Sequence, residues 1–427
     1  MTAPAASVLR RAAIVAVGSE LLETTRIDTN SLFITEQLNG VGIDVVAKHI
    51  AGDDRAMLIH VIRSALAAAD LLVVCGGLGP TDDDLTRDAV ADVLGRPLAE
   101  DAGLVEHLRR RYASRGLSAP MPLNNLRQAM VPAGAVAIDN PNGSAPGLWI
   151  DHGAQAVLLL PGPPRELKPI MTALAETRLR PRASGVVIVR RMIRISGRFE
   201  SHVDQALHPL YEEWAAAVPP VAATILASLG QIELHLSVRH ASGQEGAAIL
   251  EHATAQAVGV LGDDVFSTDG RRLEEVVGDA LAARGLWLAA AESCTGGLVT
   301  SRLTDVPGSS RYVGASIVAY ANEAKTSLLG VSEALLAEHG AVSEPVARAM
   351  AEGIRSRAGA DLGLGITGIA GPTGGTPEKP VGTVAVALAS PDRTAARTFR
   401  FFGDRELVKF QASQAALDMV RRYLRAE

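Results

Sequence analysis

Two glycine-rich turns hold the residue types that could do chemistry. The first is Cys75-Gly-Gly-Leu-Gly-Pro-Thr-Asp-Asp-Asp-Leu-Thr86, which follows an apolar run and precedes a helical pattern. Glycines let main-chain amides approach an anion closely, and the start of a helix adds positive potential. Asp82, Asp83 and Asp84 would by themselves repel a phosphate. Amides and carboxylates work together when a hard cation sits between carboxylate and phosphate oxygens. A tight turn with a capping aspartate is the simpler alternative, and it accounts for one Asp better than for three. The second turn is Ala291-Glu-Ser-Cys-Thr-Gly-Gly297. A serine between strand and helix can be exposed as a nucleophile, with neighbouring amides as an oxyanion hole. It needs a base, and His339 is the only histidine after His252. Tyr320-Ala-Asn-Glu-Ala-Lys325 offers one instead. A buried or charge-crowded lysine gives up its proton more readily, and a tyrosine can relay or orient it. The competing reading has Ser293 capping a helix, Lys325 in solvent and Tyr320 in the core. Cys294 beside the helix start could be activated, although a free cysteine is usually a small buried hydrophobe.

Other turns could complete these sites. Gly18-Ser-Glu-Leu-Leu22 and Leu160-Pro-Gly-Pro-Pro-Arg-Glu166 each follow an apolar strand pattern, as the Gly76 turn does. In open α/β sheets ligands bind beyond the carboxyl ends of strands, so all three turns are expected in one crevice. Glu20 is a second candidate metal ligand or a cap, and Arg165 a phosphate partner or a solvated charge. Further on, Gly365-Ile-Thr-Gly-Ile-Ala-Gly-Pro-Thr-Gly-Gly375 is another amide-rich loop able to hold a phosphate. Lys379-Pro-Val-Gly-Thr383 leads into a strand, and Ser309, Ser310 and Arg405 are additional polar candidates.

The elements that must position these turns read as layered α/β structure. Ala12 to Val17, Gly42 to Val46, Asp70 to Cys75 and Ala156 to Leu160 read as strands, with helices at Asn30 to Leu38, Arg55 to Ala69 and Arg165 to Leu179. Arg180 to Gly185 reads as a linker. Strands at Val186 to Ile195 and Gln231 to Arg239, with helices at Glu200 to Tyr211 and Gly246 to Val258, make a small α+β module closed by the polar stretch Asp263 to Arg272. A second α/β unit follows, with helices at Leu273 to Arg284, Leu298 to Leu303 and Arg405 to Arg425. Its strands are Gly285 to Ala291, Gly314 to Tyr320, Asp361 to Ile366 and Thr383 to Ala389. The expected domains are therefore residues 1–179, 180–265 and 266–427.

Composition narrows the function classes. The 427 residues carry 41 basic and 47 acidic side chains, a net charge of −6, which argues against a general nucleic-acid binder. Aromatics are 4 %, so base-stacking platforms are scarce. Two cysteines make neither a disulfide framework nor a cysteine zinc cage, and fit a reducing cytoplasm. The uncharged stretch from Ala215 to Gly230 is broken by Pro219-Pro220 and is too short to span a membrane.

The Gly76 to Thr86 run resembles the signature of the CinA family, and is also a cousin of the Gly-Gly-Thr-Gly loop of molybdopterin-binding domains. Val17-Gly-Ser-Glu-Leu-Leu22, Asp28-Thr-Asn30 and Pro161-Gly-Pro-Pro164 are similar to the family's other amino-terminal motifs. The resemblance implies a three-layer fold like that of molybdopterin adenylyltransferases. It also implies hydrolysis of the diphosphate of ADP-ribose or a related dinucleotide with a divalent metal, magnesium or cobalt. On this reading Asp84, Asp83 and Glu20 hold the metal, and Gly76, Gly77, Gly79, Thr81, Asn30 and Gly162 bind substrate. Thr24 departs from the family's usual glycine, and Cys75 from its common threonine.

The second set of motifs resembles the carboxy-terminal CinA domain, also called the PncC family, with all four of its motifs uninterrupted. That likeness implies deamidation of nicotinamide mononucleotide to nicotinic acid mononucleotide and ammonia, without a metal. Ser293 is then the nucleophile, with Lys325 and Tyr320 as activating partners. Thr295, Gly296, Gly297, Gly368, Gly371, Gly374, Thr383 and Arg405 are the expected substrate contacts. The middle module resembles the KH-like insert of full-length CinA proteins, with Gly259-Val-Leu-Gly262 as its Gly-x-x-Gly. Asp263 and Asp264 beside it disfavour a nucleic-acid backbone, so a spacer or homodimer contact is expected. Pyridine and adenine nucleotides are the expected partners. The rival expectation is a non-catalytic pterin- or nucleotide-binding regulatory protein.

Overall fold

The computed structural model describes residues 7–24, 26–114, 121–228 and 230–426. Its contacts divide into two compact units, one running to Val189 and including Arg239–Gly246, the other comprising Arg190–Val238 and Ala247–Glu427.

In the first unit a six-stranded sheet runs in the order Asp44–Ala51, Arg11–Val17, Leu71–Cys75, Gln155–Leu160, Gly147–His152 and Val136–Ile138. The first four strands are parallel and the last two antiparallel. Leu71–Cys75 is buried throughout and Arg11–Val17 from Ala12 onward. That is why these strands read as unbroken apolar runs: a parallel strand covered on both faces has no polar side to show. On one face Ile14, Val73 and Trp149 pack with Ile34 and Leu38 of the helix Asn30–Gly40 and Leu167 and Ile170 of the helix Pro164–Leu174. On the other, Val15 and Val74 meet Leu58 and Ile62 of Arg55–Ala68 and Val90 of Thr86–Leu94. The result is the expected three-layer α/β/α arrangement.

The second unit contains a five-stranded sheet in the order Val313–Val318, Leu288–Glu292, Leu362–Gly368, Thr383–Ala389 and Thr394–Arg400. Its first three strands are parallel and its last two antiparallel. Helices Leu273–Arg284 and Arg405–Ala426 cover one face and Glu344–Ala358 the other. The chain also forms a four-stranded sheet in the order Val221–Ser228, Gln231–His240, Val187–Ile195 and Val265–Ser267.

Several elements differ from the sequence reading. Part of the uncharged stretch is the strand Val221–Ser228, paired antiparallel with Gln231–His240. Within the stretch taken as polar, Val265–Ser267 is fully buried and pairs with the strand Val187–Ile195. Gly259 to Gly262 is not an open loop: it lies in and just after the last turn of the helix Gly243–Leu261. The helix Glu344–Ala358 went unread although Val346, Ala347, Met350, Ala351 and Ile354 are buried along one stripe at helical spacing. Among the described residues no helix is long and apolar enough to cross a membrane.

Candidate active sites

The carboxyl ends of three neighbouring parallel strands meet at Ser293. Glu292 ends its strand fully buried, and its carboxylate accepts from Val299 N at 3.1 Å, Thr300 N at 2.9 Å and Thr300 Oγ1 at 2.7 Å. These amides at the start of the helix Leu298–Thr304 are therefore held by the protein itself. Ser293 N donates to Ile366 O at 2.9 Å and Gly296 N to Ser293 O at 3.0 Å, which fixes the turn. Gly296 and Gly297 take φ of 63° and 94°, the left-handed conformation that an L side chain strains to adopt.

Lys325 comes from the helix Asn322–Leu329 and is only 2 % exposed. Its Nζ lies 3.2 Å from Ser293 Oγ and donates to Ala319 O and Tyr320 O, each at 3.1 Å. Burial lowers the Lys325 pKa from its ordinary value, against a smaller opposing effect of Cys294 and Glu323. Carbonyls can only accept. In a neutral amine they fix the two N–H bonds and leave the lone pair for Ser293. Tyr320 is largely exposed, and its hydroxyl accepts from Arg405 Nη2 at 2.8 Å. The other arm of Arg405 donates to Gly371 O at 2.6 Å. Together these groups line a cleft of about 180 Å³ that also includes Cys294, Thr367 and Gly368. Its lining holds two basic side chains, Lys325 and Arg405, and no Asp or Glu.

Of the other expected contacts, Thr295 is fully buried and its Oγ1 has no partner among the described residues. Thr383 Oγ1 donates to Pro380 O at 2.7 Å. Thr295, Gly296, Gly297, Gly371, Gly374 and Thr383 do not line the cleft. Cys294 lines it, but burial pushes its thiol up to about 12, so it is not a thiolate at neutral pH.

The first unit's cleft lies beyond the strands ending at Val17, Cys75 and Leu160, as the three turns suggested. Gly76 N donates to Leu160 O at 3.0 Å and joins two of them. The cleft is larger, about 360 Å³, and is lined by Gly76, Gly77, Gly79 and Gly162. Five carboxylates wall it, from Glu20, Asp53, Asp83, Asp84 and Glu166, and no Lys, Arg or His does. Asp84 holds the turn together: its oxygens accept from Gly79 N and Thr81 N at 2.8 Å and from Thr81 Oγ1 at 2.6 Å. Asp82 turns to Arg127, and Asn30 Nδ2 donates to Gly162 O at 2.7 Å. Hydrogen bonds from the Thr81 side chain and from its own backbone hold the Asp83 carboxyl below the usual range. Arg165 is not in the lining. Among the described residues no three His, Cys, Asp or Glu side chains converge as a metal cage.

Three features escaped the sequence reading. Arg87 is buried and donates to Leu78 O at 2.7 Å and Gly79 O at 2.8 Å, pinning the turn from below. Asp53 accepts from Ser19 N at 2.8 Å and its own N donates to Ser19 Oγ at 3.1 Å, tying the first turn to the next strand. Gln128 and Glu166 form part of the wall. The signal for the last was the run Asn140-Pro-Asn-Gly-Ser-Ala-Pro-Gly147. Asn140 accepts from Asn142 N and Gly143 N at 3.0 and 2.8 Å and donates to Glu166 Oε2 at 2.8 Å. A Cβ at Gly143 would lie 1.7 Å from that Glu166 oxygen, so only glycine admits the carboxylate here.

Fold and sites together define a molybdopterin-binding-type α/β unit followed by a CinA-type α/β unit. Residues 13–181 match the family described as "Probable molybdopterin binding domain", and residues 270–424 match the CinA C-terminal domain. A CinA-like protein of Koribacter versatilis is 48 % identical over 417 residues, covering 97 % of this chain and 99 % of its own. One from Acidobacterium capsulatum is 43 % identical over 417 residues, with coverage of 97 % and 99 %. A solved competence/damage inducible protein of Agrobacterium tumefaciens is 37 % identical, covering 35 % of this chain and 92 % of its own at a TM-score of 0.35. The chain belongs to the CinA family.

Proposed function

We propose that the protein is a bifunctional nucleotide hydrolase of the cytoplasm. Its second unit deamidates nicotinamide mononucleotide, and its first hydrolyses the diphosphate of ADP-ribose or a related dinucleotide. The observation that carries the first activity is the buried Lys325 Nζ at 3.2 Å from Ser293 Oγ. Ser293 attacks the carboxamide carbon while its proton passes to neutral Lys325. Lys325 returns that proton to the leaving nitrogen, which departs as ammonia. Water, deprotonated by the same lysine, then cleaves the acyl-serine to release the acid and restore the serine. Tyr320 acts through its carbonyl, which orients Nζ, and through its hydroxyl, which holds Arg405 at the cleft for the substrate's phosphate.

The acidic lining of the other cleft supports the second activity. A diphosphate cannot enter a cleft walled by carboxylates without a counter-cation. The residues fit an ion that arrives with phosphate oxygens, as magnesium commonly does, and not an all-protein cage. Asp84, Asp83 and Glu20 would hold such an ion, magnesium or cobalt, which would neutralise phosphate charge and polarise a phosphoryl oxygen. The chain's own contribution is the Gly76–Gly79 turn, kept rigid by Asp84 and Arg87; Gly76 N and Gly79 N are spent within the protein, which leaves the Gly77 and Leu78 amides for the anion. Incubating the protein separately with nicotinamide mononucleotide, and with ADP-ribose plus magnesium, tests both readings. Ammonia is expected in one mixture and AMP in the other, and absence of either product removes the corresponding activity.

A further inference from the structure

One buried polar side chain lining the first unit's cleft has no partner among the described residues. Gln128 lies in the 3-10 helix Leu123–Ala129, is 3 % exposed and lines the cleft. Its Oε1 is buried without a hydrogen bond, and among the described residues its carboxamide makes none. Nearby polar groups behave differently. Asn140 uses both its amide nitrogen and its oxygen within the protein, and both oxygens of Asp84 accept from the turn. Gln128 is also firmly anchored. Arg127 before it pairs with Asp82, and Ala129 after it is fully buried and accepts from Asp101 N at 2.9 Å. A buried acceptor left unmade is costly, and a rigid segment that keeps an unpartnered carboxamide in the wall of a cleft is built for an incoming hydrogen-bonding group.

We propose that Gln128 is a specificity-determining residue, its amide oxygen accepting a hydrogen bond from an O–H or N–H of the bound ligand. The ligand class is a nucleoside diphosphate derivative, and this part rests on the diphosphate reading above. Phosphate oxygens are acceptors and cannot serve Oε1. The donor must therefore come from a ribose hydroxyl, on either side of the diphosphate, or from the amino edge of the base. Gln128 thus recognises a part of the ligand other than the phosphates that the glycine turn would hold.

The test compares the full-length wild type with Gln128→Met, which keeps the volume and removes the amide. The probe is the non-hydrolysable α,β-methylene analogue of ADP-ribose with magnesium, titrated calorimetrically. Thermal melting of the ligand-free proteins and ammonia release from nicotinamide mononucleotide report on integrity. Gln128→Met is expected to melt no lower than wild type, to keep its ammonia release and to bind the analogue at least about tenfold more weakly. The hypoxanthine counterpart lacks the amino group. If the ribose supplies the donor, the substitution weakens its binding by the same factor. If the amino group supplies it, wild type already binds the counterpart weakly and the substitution removes nothing more. Equal affinity of both proteins for the analogue, with or without a lowered melting point, overturns the proposal. Failure of wild type itself to bind the analogue overturns the diphosphate reading, and the Gln128 assignment with it.

Discussion

The cleft of the first unit is walled by five carboxylates, while that of the second is lined by Lys325 and Arg405 with no acidic side chain. Both lie beyond the carboxyl ends of three adjacent parallel strands, at glycine-rich turns. The shared geometry delivers loop amides to one spot, and the side chains then decide the chemistry. In the second unit the proposed nucleophile Ser293 and its proposed base Lys325 already stand within hydrogen-bond distance, and the cation suited to an anionic substrate, Arg405, is part of the protein. In the first unit Asp84 holds the turn in shape, and the proposed diphosphate would have to bring a counter-cation with it. The net charge of −6 therefore says little about either site, because the local balance is opposite in the two.

The contrast breaks most sharply at Ser293. Ser293→Ala is expected to lower ammonia release from nicotinamide mononucleotide by about 10⁴-fold or more, as loss of a nucleophile does. AMP release from ADP-ribose should stay within twofold. Equal loss of both products would mean that the clefts are not separate sites.

Lys325→Met should lower deamidation by about 10² to 10⁴-fold, the range of a general acid–base group. The sign of the pH dependence follows from the depressed pKa. Below it Lys325 is an ammonium and cannot take the serine proton, whereas above it the amine is free. In wild type kcat/KM should rise as pH rises through a value below that of an ordinary lysine, then level off. A flat profile across that range would count against the lysine base.

Asp84→Ala removes the acceptor for three turn hydrogen bonds. It should reduce AMP release by about 10²-fold, with ammonia release unchanged, and cost about 1–2 kcal/mol of stability by thermal or urea unfolding. Unimpaired AMP release would remove Asp84 from the site. The smallest effect concerns the thiols. Cys75 and Cys294 are free and buried, and desolvation pushes both up to about 12. Iodoacetamide at pH 8 should leave both activities within twofold, and rapid inactivation of deamidation would make Cys294 reactive.

The same two regions show what a sequence can reveal. Leu71–Cys75 and Ser293–Gly297 were legible because buried parallel strands are apolar throughout and their turns need glycine. The Ser293–Lys325 pair was legible once the motifs were taken together, although the role of each Tyr320 group was not. A hydroxyl and a carbonyl on one residue look alike in sequence, and only the fold sends one to Arg405 and the other to Lys325. Gln128 and Asp53 were illegible because each acts from a segment distant in the chain, and Arg87, which directly follows the turn, because an arginine at the start of a helix looks like a solvated charge. Val265–Ser267 was missed because three buried residues are too few to show a period.

The central claim is that positive charge for the substrate is built into one cleft, as Arg405, and brought to the other by a metal ion. Measuring ammonia from nicotinamide mononucleotide and AMP from ADP-ribose on one preparation, before and after EDTA, tests it most directly. Ammonia release is predicted to be unchanged by EDTA, while AMP release is lost and returns with added magnesium or cobalt. AMP release that survives the chelator, or ammonia release that does not, would contradict the account.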